Sequence, residues 1–170
     1  MRIRCTNKLL KFLGKEARAC ALQDTSEESP ADWFANLFWI ERRKCILFTN
    51  VGTLFPFITL DVRKDSVRDF GEFFRNEYER ILEYIGIQRP DISAELLRIG
   101  SPIIGKSRNR KVLGSMNDYT SLTYLYVEQE GGLANADSRA ISIRLSEAPM
   151  GAISYERGID LLRKRVIGDT

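Results

Sequence analysis

Histidine is absent from the 170 residues of this chain. Its absence excludes hydrolases whose serine or cysteine is activated by an imidazole, histidine general bases, and zinc sites with imidazole ligands. The chain also has no apolar run of about 18 residues, so no membrane-spanning helix is expected. Residues 1–18 are basic, but residues 9–13 are too short and too interrupted by lysine to form the apolar core of a signal peptide.

Cysteine is scarce, with Cys5, Cys20 and Cys45 widely spaced. No two of them form a CxxC pair, so neither a zinc ribbon nor a thioredoxin-type redox pair is expected. Cys5 and Cys45 lie in apolar runs and are interpreted as small buried hydrophobic residues. Free thiols without an export signal favour the cytoplasm. The residue set predicts no metal site and no cofactor.

The composition is that of a folded globular protein, with 44% hydrophobic and 29% charged residues. The length predicts a single domain over residues 1–170. The net charge of +3 permits contact with nucleic acid but does not require it. The basic excess is clustered in two segments: residues 1–18 have a local charge of +5 and residues 101–127 a local charge of +3. Clusters that are distant in sequence need not meet in space.

The hydrophobic pattern predicts an α+β fold. A strand is expected at 2–5, a helix ending at Gly14, an exposed loop at 23–32, and a hairpin of strands 33–41 and 44–49. The clearest helix is expected at 66–85, capped by Ser66. Further helices are expected to begin at Pro90, at Ser115, at Asp137 or Ser138, and at Glu156, with a brief inner strand at 103–104. Because strands come first and helices follow, we expect a small antiparallel sheet, made of the N-terminal strand and the hairpin, packed against several helices, with a helical C-terminal half.

One segment matches a nucleotide-binding motif by spelling. Residues 100–107 read GSPIIGKS, which fits the P-loop pattern G-x-x-x-x-G-K-[ST] through Gly100, Gly105, Lys106 and Ser107. The motif needs a buried strand before it and a helix that starts at the lysine. Here the preceding residues have helical spacing, and Pro102 removes one amide that would face phosphate. We therefore expect a strand leading into a basic loop.

Two other polar segments have open interpretations. Ser115 and Asp118 have the spacing of a helix-capping box, which explains them without a functional site. It does not explain Asn117, nor Asn109, Arg110 and Lys111 upstream, which fit an anion site at a helix N-terminus. In the hairpin turn, Arg42, Arg43 and Lys44 would either contact phosphates or keep the turn solvated and protect a sheet edge. No spacing of carboxylates identifies a catalytic pair.

Nine short segments along the chain are distinctive when they are taken together: RCT (4–6), KLL (8–10), DW (32–33), ANL (35–37), RRKC (42–45), LFTN (47–50), TLF (53–55), NRKVLGSMND (109–118) and EGGL (130–133). In these segments the chain resembles an uncharacterised bacterial family with a domain-of-unknown-function label. Members of that family are met on chromosomes, plasmids and other mobile elements. The resemblance implies no activity. It implies that the P-loop spelling is incidental, and it makes Arg43, Lys44, Asn109, Arg110, Ser115, Asn117 and Asp118 candidates for a shared polar site.

These observations favour a cytoplasmic, non-enzymatic binding module for nucleic acid or a phosphorylated ligand. Its expected contact surface is the hairpin turn together with the 109–118 block. The alternative is a protein-interaction domain, an accessory of a mobile-element or defence system, whose basic residues only keep it soluble. A P-loop nucleotide-binding enzyme has the least support. No membrane partner is expected.

Overall fold

The computed structural model describes residues 1–149 and 151–168. The strands are β1 (Arg2–Cys5), β2 (Trp33–Ile40), β3 (Arg43–Asn50), β4 (Pro56–Thr59) and β5 (Ile103–Lys106). The helices are α1 (Asn7–Leu13), α2 (Lys15–Gln23), α3 (Phe70–Tyr84), α4 (Arg89–Ile99), α5 (Arg110–Gln129), α6 (Ser138–Ser146) and α7 (Gly158–Ile167). Short 3₁₀ turns lie at Asp65–Val67, Leu133–Asn135 and Gly151–Ile153. The α+β class is confirmed. No helix in this part of the chain is both long and apolar enough to cross a bilayer.

The five strands form one mixed sheet in the order β4-β3-β2-β1-β5. The expected hairpin is confirmed, because β2 and β3 pair antiparallel from Trp33–Asn50 to Ile40–Arg43. The expectation of a purely antiparallel sheet is wrong, because β1 runs parallel to both β2 and β5. Two helices, α1 and α2, connect β1 to β2. This kind of crossover returns the chain to the end where it began, so the second strand runs parallel to the first. The unexpected element is α2, whose buried positions are the weakly apolar Ala17 and Ala21.

One face of the sheet is covered by α1, α2 and α3, as was expected for the clearest helix. On α3, Phe70, Phe74 and Tyr78 recur at four-residue spacing and are buried. Trp33 lies edge-on to Phe74 and Tyr78, with ring centroids 5.3 and 4.9 Å apart. The helix starts later than expected, because the side chain of Asp69 accepts from the Glu72 N–H and Ser66 lies in the preceding 3₁₀ turn.

The opposite face is covered by α5 and α6 from the helical C-terminal half. Val112, Met116 and Tyr119 of α5 pack in a cluster with Phe34 and Phe38 of β2. The Tyr119 hydroxyl donates to the Leu54 carbonyl at 2.9 Å, and burial raises the pKa of Tyr119, so the phenol stays protonated. The outer edge of β4 is closed by α6, because the Ile58 N–H donates to the Ser142 hydroxyl at 2.9 Å. The strand expected inside the sheet at 103–104 is instead the opposite edge strand β5.

The polar segment 24–32 was expected to be an exposed loop, but two of its aspartates are buried and neutralise a buried arginine. Arg4 on β1 is 1% exposed, and its guanidinium contacts both Asp24 and Asp32 at 2.9–3.1 Å. Its Nη2 also donates to the Glu27 carbonyl at 2.6 Å. Burial alone would raise the pKa of Asp24, but hydrogen bonds from Ser26 and the Lys106 N–H, together with the charge of Arg4, lower it. This network fixes the loop against the ends of β1 and β5.

Candidate functional site

A small cavity lies between α1, α2 and the end of β5. Its volume is about 210 Å³. Asn7 and Lys11 face it from α1, four residues apart, and Arg18 and Leu22 face it with the same spacing from α2. Leu10 and Ala21 are buried and form its floor. Gly14 joins the two helices with a φ of 114°, a conformation that side chains other than glycine rarely adopt. We call this feature the α1–α2 cavity.

The third basic residue in the α1–α2 cavity is Lys106, the last residue of β5. The two basic segments of the sequence therefore meet here, Lys11 and Arg18 from the first and Lys106 from the second. In the described part of the chain, no acidic side chain lines the cavity and none of these three cations forms an ion pair. Three unneutralised cations around an apolar floor produce a local positive potential that attracts anions.

Two aromatic side chains lie beside lysines on the neighbouring flank of α1. Lys8 Nζ lies 6.0 Å from the ring centroid of Trp39, which is 42% exposed. Lys44 and Lys64 lie 5.5 and 5.1 Å from the ring centroid of Phe12. Since Lys8 and Phe12 are one helical turn apart, both contacts share one side of α1. We call this surface the lysine–aromatic flank. It borders the α1–α2 cavity across Asn7 and Lys11 of the same helix.

The predicted hairpin residues lie at the far end of β2 and β3. Glu41 and Arg42 form the two-residue turn with φ values of 47° and 65°, the geometry of a type I′ turn, in which both central residues have positive φ. Arg43 is exposed and pairs with Asp61 at 3.4 Å. Lys44 belongs to the lysine–aromatic flank. Of these three predicted residues, only Lys44 joins the surface that borders the cavity.

The 109–118 block forms the first half of α5. Asn109 caps the helix, because its side-chain oxygen accepts from the N–H groups of Lys111 and Val112. The capping box expected at Ser115 and Asp118 is wrong: Ser115 is buried inside the helix, and its hydroxyl donates to the Lys111 carbonyl at 3.4 Å. Arg110, Lys111, Asn117 and Asp118 are exposed on the helix.

The structure does not bring this block together with the hairpin turn. Arg110 is the first of the 20 residues of α5, which spans about 30 Å. The hairpin turn lies at the other end of this helix, where Glu41 accepts from the Leu133 N–H at 3.0 Å. Arg43 and Arg110 therefore do not form one anion site.

The residues that spell a P-loop do not wrap around a phosphate-sized space. Gly100 ends α4 with a φ of 60°, and Gly105 and Lys106 lie in the edge strand β5. The Ser107 N–H donates to the Cys5 carbonyl in the sheet. Gly105 has a packing reason to be glycine, because a Cβ there would clash with the carboxylate of Asp24. Only Lys106 of this motif reaches the α1–α2 cavity.

The site residues that the motifs missed are Asn7, Lys11 and Arg18. The available signal was the charge of +5 over residues 1–18, which no motif pattern reports. The three cysteines lie elsewhere: Cys5 and Cys45 are buried and Cys20 is exposed. Burial raises the pKa of Cys5 and Cys45, so both are held as neutral thiols.

Residues 2–161 match the model of one protein family, described as a domain of unknown function, DUF6933. The match covers nearly the whole chain, including β1, the hairpin and α5. No curated protein matches the chain.

Proposed function

Since the chain belongs to the DUF6933 family, which has no assigned activity, we propose a function from the chain's own geometry: it binds single-stranded nucleic acid through the α1–α2 cavity and the lysine–aromatic flank. We place this activity in the cytoplasm, where the free thiols Cys5, Cys20 and Cys45 stay reduced.

The observation that carries the proposal is the meeting of Lys11, Arg18 and Lys106 around one cavity without an acidic neighbour among the described lining residues. Contacts from lysine and arginine to backbone phosphates supply most of the affinity of non-specific nucleic-acid binding. A cavity of about 210 Å³ takes one phosphate group with part of its sugar, not a folded duplex.

The lysine–aromatic flank supports the choice of a single strand. Trp39 exposes part of its ring next to Lys8, and bases stack on exposed aromatic rings when they are not paired. A strand whose phosphate sits near Lys11 would pass Lys8 on the next flank of α1, because the two residues are three apart on one helix. Phosphate and base contacts are thus side by side on one surface.

The test is fluorescence anisotropy with a labelled single-stranded DNA, the same sequence as RNA, and the matching duplex, at two salt concentrations. We expect the single strands to bind more tightly than the duplex. Binding should weaken with salt by a slope of about 0.7 per phosphate contact, or roughly 2 for three contacts. The triple variant Lys11→Gln/Arg18→Gln/Lys106→Gln should lose most of both the affinity and the slope.

A matched variant separates this surface from the one that the motifs predicted. Arg42→Gln/Arg43→Gln/Lys111→Gln removes the same charge from exposed residues of the hairpin and α5. It should leave affinity nearly unchanged, whereas equal losses in the two triple variants would show that only net charge matters. Absence of binding to all three probes at low salt would overturn the proposal. It would direct attention to the protein-interaction alternative.

A further inference from the structure

A second cavity lies on the other side of the molecule from the hairpin turn, between the 24–32 loop, α4 and α7. Its volume is about 460 Å³, within the range of small-molecule sites. Pro30, Ala31, Ile99 and Leu161 supply apolar walls. Glu95, Arg98 and Arg165 supply charge. We call it the α4–α7 cavity. It shares no lining residue with the α1–α2 cavity.

The charged groups of the α4–α7 cavity form a network centred on Glu95, whose side chain is completely buried. One carboxylate oxygen accepts from the Tyr78 hydroxyl at 3.1 Å and from Arg165 Nη2 at 2.6 Å. The other accepts from Arg98, whose Nε lies 2.8 Å away. Burial raises the pKa of Tyr78, so its hydroxyl remains a donor. The carboxylate is fully satisfied and needs no further partner.

Arg165 is only partly satisfied. Its Nε and Nη1 atoms are buried and have no hydrogen-bond partner among the described residues. Buried N–H groups without an acceptor cost about 1–3 kcal/mol each, and more when the group is charged. With Glu95 against Arg98 and Arg165, the network also has one excess positive charge. The Nε and Nη1 atoms have almost no accessible surface, so a ligand oxygen reaches them when the Arg165 side chain, which is 23% exposed, turns toward the cavity. An acceptor oxygen with a single negative charge would then supply both the missing acceptor and the missing charge.

We propose that the α4–α7 cavity binds an organic monocarboxylate, whose carboxylate accepts from Arg165 and whose apolar body contacts Ile99 and Leu161. The charge of a monocarboxylate equals the excess charge of the network, whereas a phosphate dianion would leave a buried negative charge without a partner. The apolar walls favour a hydrocarbon body over a sugar. This proposal does not rest on nucleic-acid binding.

The experiment is a titration of the ¹⁵N-labelled full chain with benzoate, followed by the arginine Nε–H signals in NMR spectra. The Arg165 signal is assigned by its loss in Arg165→Lys. We expect benzoate to shift this signal with a Kd below about 1 mM. Benzyl alcohol, which has the same ring without the charge, and phenyl phosphate should bind at least about tenfold more weakly.

Two variants test the site in different ways. Arg165→Lys keeps a cation for Glu95 but removes the Nε and Nη1 donors, so benzoate should bind at least about tenfold more weakly. Leu161→Phe, one turn before Arg165 on α7, fills the cavity and leaves the network intact, so it should also reduce binding. Arg163→Lys, on the same helix, is the matched control and should bind normally. Lys11→Gln/Arg18→Gln/Lys106→Gln should also bind normally.

Unchanged benzoate affinity in both Arg165→Lys and Leu161→Phe would overturn the proposal. Equal affinity for benzoate and benzyl alcohol would overturn it too, as would the absence of any shift at millimolar benzoate.

Discussion

Arg4 and Arg165 both pair with buried carboxylates, but they differ in how many of their guanidinium nitrogens have an acceptor. Each of the three nitrogens of the Arg4 guanidinium has a protein acceptor, in Asp24, Asp32 and the Glu27 carbonyl. With Arg2 at 3.3 Å from Asp24, this cluster contains two positive and two negative charges. Arg165 uses one nitrogen and belongs to a cluster with one excess positive charge. The balanced cluster is complete within the protein, whereas the unbalanced one leaves two Arg165 donors without an acceptor among the described residues, where we propose that a ligand binds.

The largest difference should appear when each arginine is removed. We expect Arg4→Met to lose about 3–5 kcal/mol of unfolding free energy, because Asp24 and Asp32 are left buried without a cation. Arg165→Met should lose roughly 1–3 kcal/mol, because Glu95 keeps Arg98 and Tyr78. Urea unfolding followed by tryptophan fluorescence measures both values. We also predict one cooperative transition, as a single domain over 1–170 requires. A greater loss for Arg165→Met would reverse the comparison.

A smaller loss of stability should follow when a side chain is added next to the Arg4 cluster. Gly105→Ala places a Cβ against the Asp24 carboxylate, so we expect a loss of about 1–3 kcal/mol. Gly114→Ala is the matched control: its Cβ meets nothing within 4 Å, and it should stabilise α5 by about 0.5–1 kcal/mol. Thermal unfolding of the two variants should shift in opposite directions. A stabilised Gly105→Ala would contradict the close approach of β5 and Asp24.

Asn109 extends the Arg4 cluster outward, because its side-chain amide donates to Glu28 at 2.9 Å while its oxygen caps α5. We expect Asn109→Ala to cost about 1 kcal/mol, the usual effect of losing a helix cap. Ser115→Ala should change stability by less than about 0.5 kcal/mol, since its hydroxyl bonds only to its own helix. Chemical denaturation of both variants compares them directly. A greater loss of stability in Ser115→Ala than in Asn109→Ala would instead support a capping box at Ser115.

The smallest effect should be a difference in acid sensitivity. The folded-state pKa of Asp24 is lowered, so its contribution to stability is present above its unfolded pKa of about 3.9 and is lost as pH falls through the folded pKa. Asp24→Asn should therefore be less stable than the parent at pH 7 and lose less stability on acidification from pH 5 to pH 2. Asp118→Asn, an exposed position on α5, should follow the parent curve. If the plots of unfolding free energy against pH are parallel for all three proteins, Asp24 does not contribute to acid sensitivity.

The sequence predicted most of the elements that have strong hydrophobic periodicity. The hairpin, α3 and the caps at Asp137 and Gly14 follow from local patterns, and the structure confirms them. The parallel pairing of β1 was not predictable in this way, because α2 buries only Ala17 and Ala21 and therefore has no strong hydrophobic periodicity that marks a crossover helix. The burial of Arg4 was not predictable for a different reason, which is that its counterions Asp24 and Asp32 lie 20 and 28 residues away in the chain.

The candidate site was only partly predictable. The charge count identified the two basic segments. Their meeting at Lys106 depends on the pairing of β5 with β1, which joins residues about 100 positions apart in the sequence. The P-loop spelling pointed to Gly100, Gly105 and Ser107, but each has a structural role. Gly100 ends α4, Gly105 leaves room for the Asp24 carboxylate, and the Ser107 N–H pairs with the Cys5 carbonyl in the sheet. The network around Glu95 gave no sequence signal, because Tyr78, Glu95 and Arg165 belong to three different helices.

The position of β1 in the sheet has a consequence for how the protein is made. Of the five strands, β1 is synthesised first, yet it lies inside the sheet, with β2 on one side and β5 on the other. One edge of β1 has no partner strand until β5 has been synthesised as far as Lys106, when Arg2 can pair with Ile103. Contacts so distant in sequence close late and slow folding. A nascent chain that has not yet reached Lys106 therefore exposes an edge of β1 that β5 covers in the folded protein.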